Sequence, residues 1–147
     1  MKRTIISGCI ITVLASMTFV SCATMQKIAI SEGNLTQLKG KWTGSRSSDP
    51  SSTLNTDLEI SNDSLPIQGK LIFHGARMPG IPDTANVIDF KGGMVNDKGN
   101  LLITESAIRA ELSLYEDDGK IWLWGSFTSP GVGGGGTMLF KKIGIKK

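Results

Sequence analysis

A glycine followed by Lys or Asn and then an apolar run recurs along the chain, at Gly40-Lys41-Trp42, Gly69-Lys70-Leu71-Ile72-Phe73, Gly99-Asn100-Leu101-Leu102-Ile103 and Gly119-Lys120-Ile121-Trp122-Leu123-Trp124. Tight turns often need a positive φ that only glycine adopts cheaply, so each copy marks the far side of a hairpin. The segments between them alternate with period two. Leu54, Thr56, Leu58 and Ile60 stand against Asn55, Asp57, Glu59 and Ser61, and Ile108, Ala110, Leu112 and Leu114 against Arg109, Glu111, Ser113 and Tyr115. That is the pattern of half-buried strands, and the short polar turns 96–99 and 116–119 make their flanks antiparallel neighbours. Strands are expected over 40–46, 53–61, 67–75, 85–91, 93–96, 100–105, 107–116, 120–128 and 137–143, with two of the middle ones short or fused. Residues 45–52, 74–83 and 129–136 read as rim loops, where function usually lives. About eight strands in sequence order predict an all-β fold, a small antiparallel up-and-down barrel or coiled meander that leaves few edges bare.

Upstream of this body, Lys2 and Arg3 precede an apolar run from Ile5 to Val20 that ends at Ser21-Cys22. Charged, apolar and then small residues are the order of an export signal. The run is about 16 residues, near the lower edge of what spans a hydrocarbon core of roughly 30 Å; a retained transmembrane helix is the alternative reading. Phe19-Val20-Ser21-Cys22 resembles the lipobox of bacterial lipoproteins, matching at Val20, Ser21 and Cys22 and departing at Phe19, where Leu is usual. The resemblance implies cleavage before Cys22, a diacylglycerol on its sulfur and an N-acyl chain such as palmitate on its new amino group. It also implies sorting: Ala23, rather than Asp, favours the outer membrane, and no acidic residue follows in 24–27, so a periplasm-facing anchor in the cell envelope is expected. The chain then divides into a signal peptide (1–21), a lipidated tether with a short helical turn capped by Asn34 (22–38) and a β-barrel-like domain (39–147).

Charge and cysteine content narrow the partners. Loss of residues 1–21 removes Lys2 and Arg3 from the 16 basic residues and leaves 14 against 13 acidic ones, a net charge of +1. No nucleic-acid footprint is expected, because that needs Lys and Arg massed on one face, and the basic tail 141–147 reads as a solvated end. Cys22 is the one cysteine left and is committed to lipid, so no intramolecular disulfide forms. A domain of roughly 110 residues buries about two thirds of its unfolded surface and folds without such a staple.

No enzyme is expected, and no catalytic residue, metal or cofactor beyond the covalent lipid on Cys22. His74 is the single histidine, without a nucleophile-elbow context, and it cannot build a zinc site without spare cysteines. Gly131-Val132-Gly133-Gly134-Gly135-Gly136 spells a dinucleotide motif but leads into a strand instead of a helix. Glu116, Asp117 and Asp118 form a solvated hairpin turn without the further oxygen ligands calcium needs. Trp122 and Trp124 share one face of their strand, and Ile121, Leu123 and Phe127 the other. A strand apolar on both faces is either covered on both sides or shows aromatics to something outside. The candidate ligand or partner contacts are Trp42, His74, Arg77, Trp122 and Trp124.

Residues 34–42, Asn-Leu-Thr-Gln-Leu-Lys-Gly-Lys-Trp, resemble the opening of calycin barrels, the group that includes lipocalins and avidins. There a helical turn precedes Gly-x-Trp on the first strand and a basic residue of the last strand packs across that Trp. Gly40 and Trp42 match, and Lys141 or Lys142 would be the basic partner. Three functions follow as expectations: a non-enzymatic binding or interaction module for an envelope protein, a calycin-like carrier of a small apolar ligand, or an inhibitor of a protease or lysozyme acting through the loop 75–83.

Overall fold

The alternating segments do pair as the turn chemistry demands. In a computed structural model, residues 25–49, 51–75, 86–131 and 133–144 are described. Cys22 and Arg77 lie outside them. The strands are β1 (Gln26–Ile28), β2 (Gly40–Asp49), β3 (Ser52–Ile60), β4 (Ile67–Phe73), β5 (Asn86–Val95), β6 (Leu101–Thr104), β7 (Arg109–Asp117), β8 (Lys120–Ser129) and β9 (Gly134–Lys142), with a 3-10 helix over Glu32–Gln37. Strands β2 to β9 pair antiparallel with their sequence neighbours, and β9 returns to β2. The result is a closed eight-strand barrel with one extra strand.

The differences from the sequence reading have local causes. The two strands expected over 85–91 and 93–96 are one, because β5 absorbs an extra residue where its pairing to β4 passes from Phe90 opposite Gly69 to Gly93 opposite Ile67. Gly134 to Gly136, expected in a loop, pair with Ser129 to Phe127. Strand pairing also runs through most of the serine-rich segment, as far as Asp49 and again from Ser52. The segment read as a tether contributes β1, which lies beside Leu114 to Glu116 of β7, just past the point where the short β6 ends. Asn34 does not cap the helical turn: Ser31 holds that position, and the Asn34 carboxamide oxygen accepts from the Ser31 N–H at 2.8 Å.

One face of every strand fills the barrel. Trp42, Leu58, Leu71 and Ile88 are successive cross-strand partners, as are Ala110 with Phe127 and Leu114 with Leu123 and Phe140. Full burial of each leucine or phenylalanine among them contributes about 1.5–3 kcal/mol. Gly125 lets β7 and β8 approach closely: a Cβ there would lie 1.8 Å from the carbonyl oxygen of Glu111, too near for any side chain. At the β7–β8 turn, Asp118 and Gly119 both have positive φ, 49° and 71°, as a two-residue hairpin of the primed type requires.

One end is sealed. Ile30, Leu35 and Leu38 of the entering chain are buried against the core, and the Trp42 Nε1–H donates to the Leu38 carbonyl at 2.8 Å. Lys142, rather than Lys141, is the basic partner: its Nζ lies 5.5 Å from the centre of the Trp42 ring and donates to the Gln37 carbonyl. Burial pushes the Lys142 ammonium below the usual lysine range. At the other, open end the Arg46 guanidinium, lowered in pKa by burial, lies 4.5 Å above the Phe73 ring.

Candidate functional site

Outside the barrel, apolar side chains interrupt the polar faces of the strands: Val87 and Met94 stand exposed on β5, and aromatic residues gather on β7 and β8 beside Leu139 of β9. Trp122 and Trp124 alternate with buried Leu123, so both rings stand on the outer wall. Register then dictates their company. Lys27, Tyr115, Trp122, Lys141 and Thr43 are successive cross-strand partners from β1 round to β2. Ser113, Trp124, Leu139 and Ser45 form the next row toward the open end. Toward the sealed end Asp117 pairs with Lys120, and the Ile143 N–H donates to the Lys41 carbonyl at 2.9 Å.

The centre of this wall is apolar and open to water. Trp124 is 48% exposed, Leu139 38% and Ile143 50%. The Tyr115 and Trp124 rings meet at 5.9 Å between centroids, tilted by 45°, a packed aromatic pair. Lys141 Nζ lies 5.3 Å from the Trp122 ring centre, within cation–π range. Lys27, Lys41, Lys120 and Lys141 are exposed around the patch, and among the described residues none is within ion-pair distance of a carboxylate. The Trp122 Nε1–H is out of water with no partner among the described residues, although a buried donor normally has one. Asn96 and Asn100 steady the neighbouring hairpin: their Nδ2 groups donate to Glu111 Oε1 at 3.0 and 2.6 Å. Those two bonds, Asn100's first, hold the Glu111 carboxyl below the usual carboxylate range.

The other sequence candidates lie elsewhere. Trp42 is fully buried at the sealed end and offers no surface to a partner; its work is the latch to Leu38. His74 lies just past β4 at the open rim, its Nε2 3.0 Å from Asp57 Oδ2. Trp122 and Trp124 are thus brought together, while Trp42 and His74 are not part of their patch. Among the described residues no group of three His, Cys, Asp or Glu side chains gathers to hold a metal, and no helix is long and apolar enough to cross a membrane. Lys27, Tyr115, Leu139 and Lys141 are the wall residues that sequence reading missed. Outward alternation on β7 and β9 would have found three of them; Lys27 joins only through the pairing of β1.

The interior is no rival to this wall at the sealed half of the barrel. Leu38, Trp42, Leu71, Leu112, Leu123 and Phe140 each show 0% of their surface. A void large enough for a water would give its lining residues accessible area. Sealed by a helical turn, closed by β9 on β2 and latched through its first-strand Trp, the fold is compatible with a calycin-like small barrel. No family of proteins, no curated protein and no solved structure matches the chain.

Proposed function

We propose that the chain is a lipid-anchored protein of the cell envelope, held through Cys22, facing the periplasm from the outer membrane, and working as a non-enzymatic binding module through the outer wall of β7 to β9. The anchor rests on Lys2-Arg3, the apolar run and the lipobox-like Phe19-Val20-Ser21-Cys22. The observation that carries the choice of surface is the contrast between the two sides of β8: Leu123 shows none of its surface, whereas neighbouring Trp124 shows 48%. A large ring left in water beside Leu139 costs free energy that burial against a partner recovers, at roughly 25 cal/mol per Å². A small apolar ligand has no comparable place in the packed half of the barrel.

Two measurements test this. Intact mass of the protein taken from cell envelopes is expected to show residue 22 as an acylated amino terminus; an unmodified Cys22 removes the anchor. Titration with a monomeric fatty acid and with an apolar dye is expected to give no saturable one-to-one complex. Such a complex, surviving in Trp124→Ser, would place a ligand inside the barrel and return the carrier reading.

A further inference from the structure

We propose that the occupant of this wall is the lipid surface itself: Tyr115, Trp122, Trp124 and Leu139 dock at the headgroup level of the bilayer that holds Cys22, with Lys27, Lys41, Lys120 and Lys141 on its anionic lipids. The inference rests on the anchor reading for its geometry and gives that reading's binding face a partner.

Three observations converge on it. The first is where the tether ends. Only three residues lie between Cys22 and Gln26, a span of four residue steps, and Gln26 is already paired with Glu116 of β7. Four extended residues reach about 14 Å, so an acylated Cys22 keeps the sealed end of β7 and β8 close to the headgroups. The far end of β7 at Arg109 lies seven residues from Glu116, about 23 Å at strand rise, and the open rim is therefore the end held farther from the anchor.

The second is the distribution of aromatic residues. The chain has three Trp and one Tyr. Trp42 is inside the barrel, and the other three are on this wall. Trp and Tyr favour the membrane interface because their rings are apolar while the N–H or O–H stays near water and headgroups.

The third is charge. With residues 1–21 gone the chain is nearly neutral, yet the wall carries four exposed lysines against Asp117 and Glu111 on the outer face of β7, the latter acting on Lys27. Away from the wall Lys70 is engaged by Glu59 at 3.2 Å and Lys39 by Asp63 at 3.7 Å, while Lys91 and Lys98 have no ion pair among the described residues. A cation on a flexible stem suits a phosphate plane, where the stem lies along the apolar layer and the ammonium reaches out. An envelope protein with a matching acidic face is the other occupant that the test separates.

The test uses the mature chain, residues 22–147, with Cys22→Ser so that no acyl chain contributes, since every buried core residue lies at or beyond Ile30. Co-sedimentation with vesicles of phosphatidylglycerol and phosphatidylethanolamine is expected to show binding that weakens with salt. It is expected to fall about five-fold for each of Lys27→Gln and Lys141→Gln, and on the order of ten-fold or more for Trp124→Ser. A folded protein, verified by circular dichroism, that ignores such vesicles overturns the proposal, and so does binding that Trp124→Ser and Lys141→Gln leave unchanged. Loss of the anchor reading would show separately, as an unmodified residue 22 in the cellular protein while vesicle binding persists.

Discussion

Trp42→Phe isolates the latch that seals the barrel. The Trp42 indole N–H satisfies the Leu38 carbonyl at 2.8 Å, and both residues are fully buried. Phenylalanine fills most of the ring space but leaves that carbonyl without its donor, which costs about 1–3 kcal/mol. The smaller ring leaves a space of roughly 40 Å³, or about 1 kcal/mol at ~24 cal/mol per Å³. The sum is about 2–4 kcal/mol, or roughly 8–16 °C in Tm at about 4 °C per kcal/mol for a domain of this size. Lys142→Met removes the other half of the clasp, the ammonium that sits over the Trp42 ring and donates to the Gln37 carbonyl. Because both side chains hold the same helical turn on the same barrel end, the double variant is expected to lose less than the two single losses added, by 0.5 kcal/mol or more. Thermal melts followed by far-UV circular dichroism measure all three, independently of the missing indole. A Trp42→Phe loss below 0.5 kcal/mol, or strict additivity with Lys142→Met, would refute the latch.

Gly125→Ala is expected to prevent folding or to cost more than 3 kcal/mol in urea denaturation, because the new Cβ would lie 1.8 Å from the Glu111 carbonyl oxygen; near-neutral stability would mean the β7–β8 approach is looser than described. Trp124→Ser, by contrast, is expected to change stability by no more than 0.5 kcal/mol, as its ring is half in water; a large loss would make the ring part of the fold rather than of a binding face. Glu111 has its folded pKa depressed by Asn100 and Asn96, so the unfolded chain takes up that proton more readily than the folded one. Its stabilisation is present above the ordinary glutamate range and is lost as pH falls through the lowered folded value. Glu111→Gln is therefore expected to flatten the acid limb of stability against pH, and an unchanged limb would contradict the carboxylate's role.

Much of this fold is written in short-range pattern. Leu54 to Ser61 and Ile108 to Tyr115 alternate because one face of each strand enters the barrel, and the Asp118-Gly119 turn declares its hairpin. Trp42 was legible as the first-strand anchor through Gly40 and the preceding helical turn, and its basic partner narrowed to two adjacent lysines. What was hidden is non-local. Gln26-Lys27-Ile28 has no periodic signal of its own, and becomes a strand only because β6 stops short and leaves an unpaired stretch of β7. The glycines of 134–136 carry no side-chain pattern, yet pair by backbone alone. The wall was half visible: Trp122 and Trp124 announced an apolar outer face, but Lys27, Leu139 and Lys141 join it through pairing partners that lie 15 to 88 residues away along the chain. Spacing along one strand cannot specify what stands on the next.

The central claim is that the outside of β7 to β9, and not the interior, is the working surface and that it rests on lipid. Lipid-borne quenching of tryptophan fluorescence tests it most directly, with the acylated protein reconstituted in vesicles whose phospholipids carry bromine near the glycerol. The account predicts strong quenching of the wild type, most of it lost in Trp122→Phe combined with Trp124→Phe, and protection of those two rings from aqueous iodide, with Trp42 silent to both quenchers. Quenching by iodide but not by brominated lipid, in a protein shown to be acylated, would contradict it.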